Sequence, residues 1–170
     1  MALVNKNIFE ITGISLPEDA CVVIVRTAWN EPIVNKLEQG CADVLKKQNV
    51  PYKIITVPGA IEIPFAIHTY WAHSVDGFVQ KPSAFIALGC VILGDTPHFE
   101  YVCRSVTDGI TRLNTSLPVP SVFGILTVNN QAQADERTGG VHGHKGEEAA
   151  ATAIKMMQLN ASFKNEYPTL

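Results

Sequence analysis

The chain has 170 residues, 46% of them apolar and 17% charged, with a formal net charge of −3. That composition excludes a disordered chain, and the length suits one domain with a core of ordinary size. The 13 Lys+Arg are scattered, so no basic face forms that could hold a nucleic-acid backbone. No apolar segment approaches the roughly 18 residues of a membrane span, and MALVNKNIFE lacks the charged-then-apolar pattern of a secretory signal. A soluble, cytoplasmic protein is expected, with no nucleic-acid or membrane partner. Cys21, Cys41, Cys90 and Cys103 lie far apart without CxxC spacing, which favours buried free thiols over a disulfide framework or a metal knot.

In chain order, CVVIV (21–25) is a short β-branched run of the kind that makes a buried parallel strand. In the segment that follows, Ile33/Val34, Leu37, Cys41 and Val44/Leu45 recur at helical spacing, with Asn30 as expected N-cap and Pro32 in the first turn. KIITV (53–57) predicts a second strand and PGAIEIP a turn into a helix over roughly 62–73. AFIAL (84–88) predicts a third strand that can run on through Val91 and Ile92. After GDTP a long helix begins near 97, with Phe99, Val102, Val106, Ile110 and Leu113 as its buried stripe. SVFGILTV (121–128) is the fourth strand. A short polar helix is expected around 130–138, broken by Gly139, Gly140 and Gly143, before a last helix through EEAAATAIKMMQLNAS. Strands alternating with helices imply right-handed crossovers and a parallel sheet covered on both faces. No repeat or linker divides residues 1–170. Residues 1–20 fit the scheme poorly, and IFEITGISL reads as an edge strand or an arm toward a neighbouring subunit.

In such sheets ligands bind beyond the carboxyl ends of the strands. Four segments sit there: TAWN (27–30), PGAIE (58–62), GCVILGDTPH (89–98) and ILTVNN (125–130). Trp29 offers a flat ring, Gly59 a close backbone approach, and Glu62 a carboxylate at a helix start. Gly94 to Thr96 could form an anion-binding nest where a helix begins. Taken singly these features are weak: a lone histidine such as His98 at a helix start is more often a cap, and Trp29 more often core. The two histidines of VHGH (141–144) lack a third ligand, so a flexible solvent loop is expected rather than a metal site. His68 and His73 are expected to face solvent or an interface.

The motifs AWN, VPGAIEIP, GCVILGDTPHFEYV, FGILTVNNQAQADERTGG and HKGEEAA, in this order over roughly residues 20–163, resemble the lumazine synthase family. The resemblance implies a flavodoxin-like three-layer α/β/α sandwich with a four-stranded parallel sheet, assembled as pentameric rings. It also implies condensation of 5-amino-6-(D-ribitylamino)uracil with 3,4-dihydroxy-2-butanone 4-phosphate in riboflavin biosynthesis. Carried over by position, Trp29 stacks on the pyrimidine ring, Ala60, Ile61 and Glu62 meet the ribitylamino substrate, and Cys90, Val91 and Ile92 border the ring. Asp95 and Thr96 hold the four-carbon phosphate, and His98 transfers protons. Phe123 and the phosphate-binding Arg137 come from the adjacent subunit, with Lys145 near the same pocket. Leu93 replaces a basic residue usual in the family, Pro97 a small polar one and Ile61 a frequent phenylalanine. The implied partners are these small substrates, further copies of the chain and riboflavin synthase as a candidate. Single rings, decamers and a sixty-subunit shell all stay open, and the short RTGGVHGHKG turn leans toward the shell. Every step of the reaction moves protons, so no cofactor is expected. The alternative is a flavodoxin-like flavin- or pyrimidine-binding module without catalysis, although the chain lacks the aspartate cluster of a receiver domain and the hydroxyl-rich loop of a flavin carrier.

Overall fold

Charge-poor, β-branched segments form the centre of the molecule, as their composition demands. The computed structural model describes residues 10, 11 and 13–166. Strands β1 (Val22–Thr27), β2 (Tyr52–Val57), β3 (Ala84–Ile92) and β4 (Ser121–Val128) make one parallel sheet in the order β2-β1-β3-β4. Every residue of β1 is buried, which explains the unbroken apolar run: a strand covered on both faces has no polar side to show.

Alternate residues serve two cores. Val22, Ile24, Ile86, Leu88 and Leu126 pack against α1 (Glu31–Lys47) and the last helix, α5 (Lys145–Glu166). Val23, Val25, Phe85, Ala87 and Ile125 pack against α2 (Ile63–Val75) and α3 (His98–Ser116). The result is the expected three-layer sandwich. A 3₁₀ turn (Ala60–Glu62) leads into α2, and the short helix α4 (Gln131–Asp135) follows β4. Burial of each large aliphatic side chain contributes roughly 1.5–3 kcal/mol. Of the two cores, the α1/α5 side is the closer packed. Ala149, Ala150, Ala151 and Ala153 are all buried, and small side chains let the two helices approach. At Gly146 the approach is backbone to backbone, since a Cβ there would stand 2.0 Å from the Leu37 carbonyl oxygen.

Three expectations need correction. Asn30 stands at the N-cap of α1 but its side chain caps nothing there. It adopts a left-handed conformation (φ 57°) and its Nδ2 donates 2.8 Å to the Cys90 carbonyl, so a tertiary hydrogen bond has displaced the local one. The VHGH segment is no loose loop. It closes an antiparallel ladder between β5 (Thr138–Gly140) and β6 (Gly143–His144), and the half-buried His144 ring lies over Gly40 of α1, where a Cβ would come within 2.2 Å of it. Phe99 and Val102 belong to the apolar stripe of α3 but are only half-buried, unlike Val106, Ile110 and Leu113. The N-terminal edge strand or arm falls partly on residues 1–9 and 12, outside the described residues. Residues 10, 11 and 13–20 carry no strand; Ile11 is buried and Ile14 and Leu16 pack against the α1/α5 core. Among the described residues no helix is long and apolar enough to cross a membrane.

Gly146→Ala should lower stability by about 1–3 kcal/mol, because the methyl group meets backbone that cannot rotate away. A thermal unfolding midpoint equal to the wild type's would show that the α1–α5 seam is looser than this contact requires.

Candidate active site

The strand order sets where a ligand can enter. From β1 the chain passes through α1 to β2 on one side; from β2 it crosses back through α2 to β3 on the other. The connections part at the carboxyl ends of β1 and β3, which is the position where open parallel sheets leave a crevice. A cleft of about 430 Å³ lies there, lined by residues from the ends of β1 and β3, the turn before α2 and the start of α3. The Asn30 to Cys90 hydrogen bond spans its floor. Thr27 Oγ1 donates 3.0 Å to the Trp29 carbonyl, which fixes the backbone beneath an indole that is 73% exposed. The ring therefore stands at the cleft wall, available for stacking and unsupported by core.

Among the sequence candidates, Trp29, Ala60, Ile61, Glu62, Cys90, Val91, Ile92, Thr96 and His98 all line this cleft, and Asp95 is exposed in the adjoining loop without lining it. Among the described residues the cleft takes a carboxylate from Glu62, an imidazole from His98 and a buried thiol from Cys90, and no lysine or arginine lines it. Its positive potential comes instead from backbone. Asn30, the turn before α2 and His98 mark the N-termini of α1, α2 and α3, whose unpaired N–H groups favour negative charge. Thr27, Asn30, Gly59, Gly94, Phe99 and Val102 complete the lining. Helical periodicity marked Phe99 and Val102 as apolar but could not separate core from cleft wall.

The remaining candidates lie elsewhere. Phe123, Arg137 and Lys145 line a second, larger groove of about 990 Å³ along the outer edge of β4, between α3 and α5. The two cavities share no lining residue. Helix α3 separates them: Phe99 and Val102 face the cleft, whereas Thr107, Ile110, Thr111 and Asn114 face the groove. Arg137 is placed by local structure. Asn130 caps α4 by accepting from Gln133 N–H (3.0 Å), Gln133 Oε1 accepts from Asn129 N–H (2.8 Å), and Arg137 Nη1 donates 2.8 Å to the Gln133 carbonyl. Glu136 stands 3.6 Å from the same guanidinium. Lys145 Nζ meets both carboxylate oxygens of Glu148, a groove residue that sequence reasoning passed over although its i,i+3 spacing from Lys145 was legible. Among the described residues no group of three or more His, Cys, Asp or Glu is disposed to hold a metal ion. His68 and His73 are exposed on α2, as expected.

All four cysteines are free; Cys21, Cys41 and Cys90 are buried and Cys103 is half-buried. Burial pushes the Cys90 thiol, in the cleft floor, up to about 11. It pushes Cys41 up to about 12, with the nearby Glu38 charge adding to the effect. Both stay protonated at neutral pH and serve as packing, not as nucleophiles.

Comparison with known proteins converges on one family. The profile described as 6,7-dimethyl-8-ribityllumazine synthase matches residues 19–161. The chain is 40% identical over 166 residues to the 6,7-dimethyl-8-ribityllumazine synthase of Parabacteroides distasonis, covering 95% of this chain and 100% of the relative. It is 43% identical over 160 residues to that of Porphyromonas gingivalis, covering 91% and 94%. With that of Bdellovibrio bacteriovorus it shares 45% over 139 residues, covering 81% and 74%.

Cys41 and Cys90 should resist alkylation in the native protein at neutral pH, reacting at least about a hundredfold more slowly than in the unfolded chain. Mass spectrometry after iodoacetamide treatment reads this directly, and fast native labelling at either thiol would contradict their protonated, enclosed state.

Proposed function

This chain belongs to the 6,7-dimethyl-8-ribityllumazine synthase family, and from that premise we propose how its two surfaces divide the work. The protein is a transferase of riboflavin biosynthesis. It condenses 5-amino-6-(D-ribitylamino)uracil with 3,4-dihydroxy-2-butanone 4-phosphate to give 6,7-dimethyl-8-ribityllumazine, phosphate and two waters. A binding module without catalysis is not favoured, since the relatives bear the enzyme's name over nearly their whole length.

In our reading the β1/β3 cleft takes the ribitylamino substrate. Trp29 stacks on the pyrimidine ring, the backbone at Cys90, Val91 and Ile92 borders it, and Ala60, Ile61 and Glu62 hold the ribityl chain. Asp95 and Thr96 position the phosphate-bearing ketone beside the amine. The amine attacks the ketone, a first water leaves to form an imine, a carbon-bound proton is removed and phosphate departs. The ribityl-bearing nitrogen then closes the second ring on the remaining carbonyl carbon, whose oxygen leaves as a second water. His98, at the cleft wall, exchanges the protons that these steps move, since a histidine can both accept and donate near neutral pH. Holding both substrates together contributes more than the histidine does, up to roughly 7–11 kcal/mol of effective concentration.

One observation carries the division of labour: among the described residues no lysine or arginine lines the cleft, while Arg137 and Lys145 line a groove that shares none of the cleft's residues. The site becomes whole when a second copy brings its β4 edge to the cleft, adding Phe123 as a further stacking ring and Arg137 as the phosphate anchor. An edge strand with a free outer side is a surface that proteins cover, and head-to-tail contacts of this kind close into rings. We therefore read residues 1–170 as one domain working in pentameric rings or multiples of them in the cytoplasm. Riboflavin synthase is the candidate protein partner because it consumes the product.

His98→Ala should reduce kcat by roughly a hundredfold and leave measurable turnover. Arg137→Ala should raise KM for the phosphate substrate by roughly ten- to a hundredfold, the worth of a charge-assisted hydrogen bond. Co-expressing the two variants tests the shared site. If His98 and Arg137 come from different copies, randomly mixed rings contain intact sites and recover roughly a quarter of wild-type activity, followed by absorbance of the lumazine product. Activity no greater than the average of the two variants would place both residues within one chain and end this reading.

A further inference from the structure

Lys145 opens α5, a helix of 22 residues, and an ammonium group at a helix N-terminus lies against the positive end of the dipole. A lysine in this position is held against local electrostatics, and the structure identifies what holds it. Glu148, one turn on, receives Nζ on both oxygens at 2.8 and 2.7 Å. The pair is largely shielded, with the lysine side chain 23% and the glutamate 15% exposed. The Lys145 N–H donates 2.9 Å to the Arg137 carbonyl, so the ammonium and the guanidinium rise from one stretch of backbone into one groove.

The two cations differ in availability. Arg137 spends one contact on a neutral carbonyl and has the half-buried Glu136 only at 3.6 Å. Most of its fork of donors stays open to an oxyanion. Lys145 already faces a full carboxylate, which cancels its charge at short range and occupies two of its three protons. Among the described residues, an anion entering the groove meets one cation that is only loosely paired, Arg137, and one that is closely paired, Lys145.

We propose that Glu148 masks Lys145, limiting the grip of the groove on phosphate so that the inorganic phosphate released by the reaction can leave. Glu148 is then a positioning residue: it acts on the anion only through the lysine. The inference rests on the reading that Arg137 binds the phosphoryl group. The mask would serve turnover, because the group that anchors the substrate is also a product, and a groove with two open cations would retain it.

The test is inhibition of the intact oligomer by inorganic phosphate, read as Ki beside kcat at one pH. Glu148→Gln keeps the shape and removes the charge; it should lower the phosphate Ki by roughly two- to fivefold, the scale of a partly exposed ion pair. Adding Lys145→Met to that variant should return Ki toward the wild-type value. Damage to the fold weakens anion binding, so tightening that depends on Lys145 cannot arise from damage. An unchanged or raised Ki in Glu148→Gln particles of wild-type size by light scattering overturns the proposal. If that variant does not assemble, Lys145→Met alone decides: a masked lysine shifts the phosphate Ki by less than about twofold, and a larger loss means the ammonium was free. Arg137→Ala in the same assay keeps the two ideas apart. An unchanged phosphate Ki there removes the anchor reading whatever the Glu148 and Lys145 variants do.

Discussion

The winding of the sheet reverses between β1 and β3, and the rest of the molecule is arranged around that reversal. Helix α1 leaves β1 for one face and α2 returns to β3 over the other. Neither can cover the gap between the two strand ends without breaking its own packing. A side-chain hydrogen bond, Asn30 to Cys90, stitches the gap, and Asn30 adopts a left-handed backbone there. Because all strands are parallel, the same end of the sheet gathers the N-termini of α1, α2 and α3. Topology alone therefore delivers a concave site with partial positive charge from backbone N–H groups.

That economy has a consequence at the other edge. Helix dipoles give a diffuse attraction that weakens within a turn, and a phosphoryl group is held firmly by a guanidinium fork. The fork proposed for it, Arg137, stands beyond α3, in the groove beside β4. On the reading proposed above, assembly completes the site and substrate binding in turn favours assembly, since whatever binds only the joined state stabilises it by mass action. Exposure of Trp29 follows the same logic. An indole left 73% open in one chain is costly as surface, and the proposed site gives it a use as half of a sandwich whose other ring would be Phe123 of a second copy.

Sequence patterns recorded this architecture unevenly. The strands 22–25 and 84–88 were legible because burial on both faces removes polar residues, a local signature of a global fact. The edge strand 121–128 was legible from its apolar run although Phe123 and Thr127 open onto the groove. The last four residues of β3 were legible only as an extension, since Val91 and Ile92 leave the core to line the cleft. Phe99 and Val102 share the spacing of Val106 and Ile110, and spacing reports apolarity without saying whether protein or ligand covers it. Asn30 reads as an N-cap from its position, but a partner sixty residues away won the competition for its amide. The glycines of 139–143 suggested a loop because nothing in the residues themselves announces that His144 will find a Cβ-free seat on Gly40. The site residues became legible together only through family-like motifs in register. Their separation into cleft and groove was visible only once α3 stood between them.

The Lys145–Glu148 pair shows where such readings stop. By spacing alone it is an ordinary i,i+3 helix pair worth a few tenths of a kcal/mol. Its meaning comes from three facts that lie outside that spacing: the pair sits at the wrong end of a helix dipole for its cation, it is largely withdrawn from water, and its backbone is tied to that of Arg137. A lysine needed only for stability would stand at the far end of α5, and a lysine needed only for anion capture would stand without a carboxylate. Placing both charges at this point spends local stability on control of charge at the groove wall, which is the form a functional compromise takes when one local rule is broken and a neighbour limits the cost.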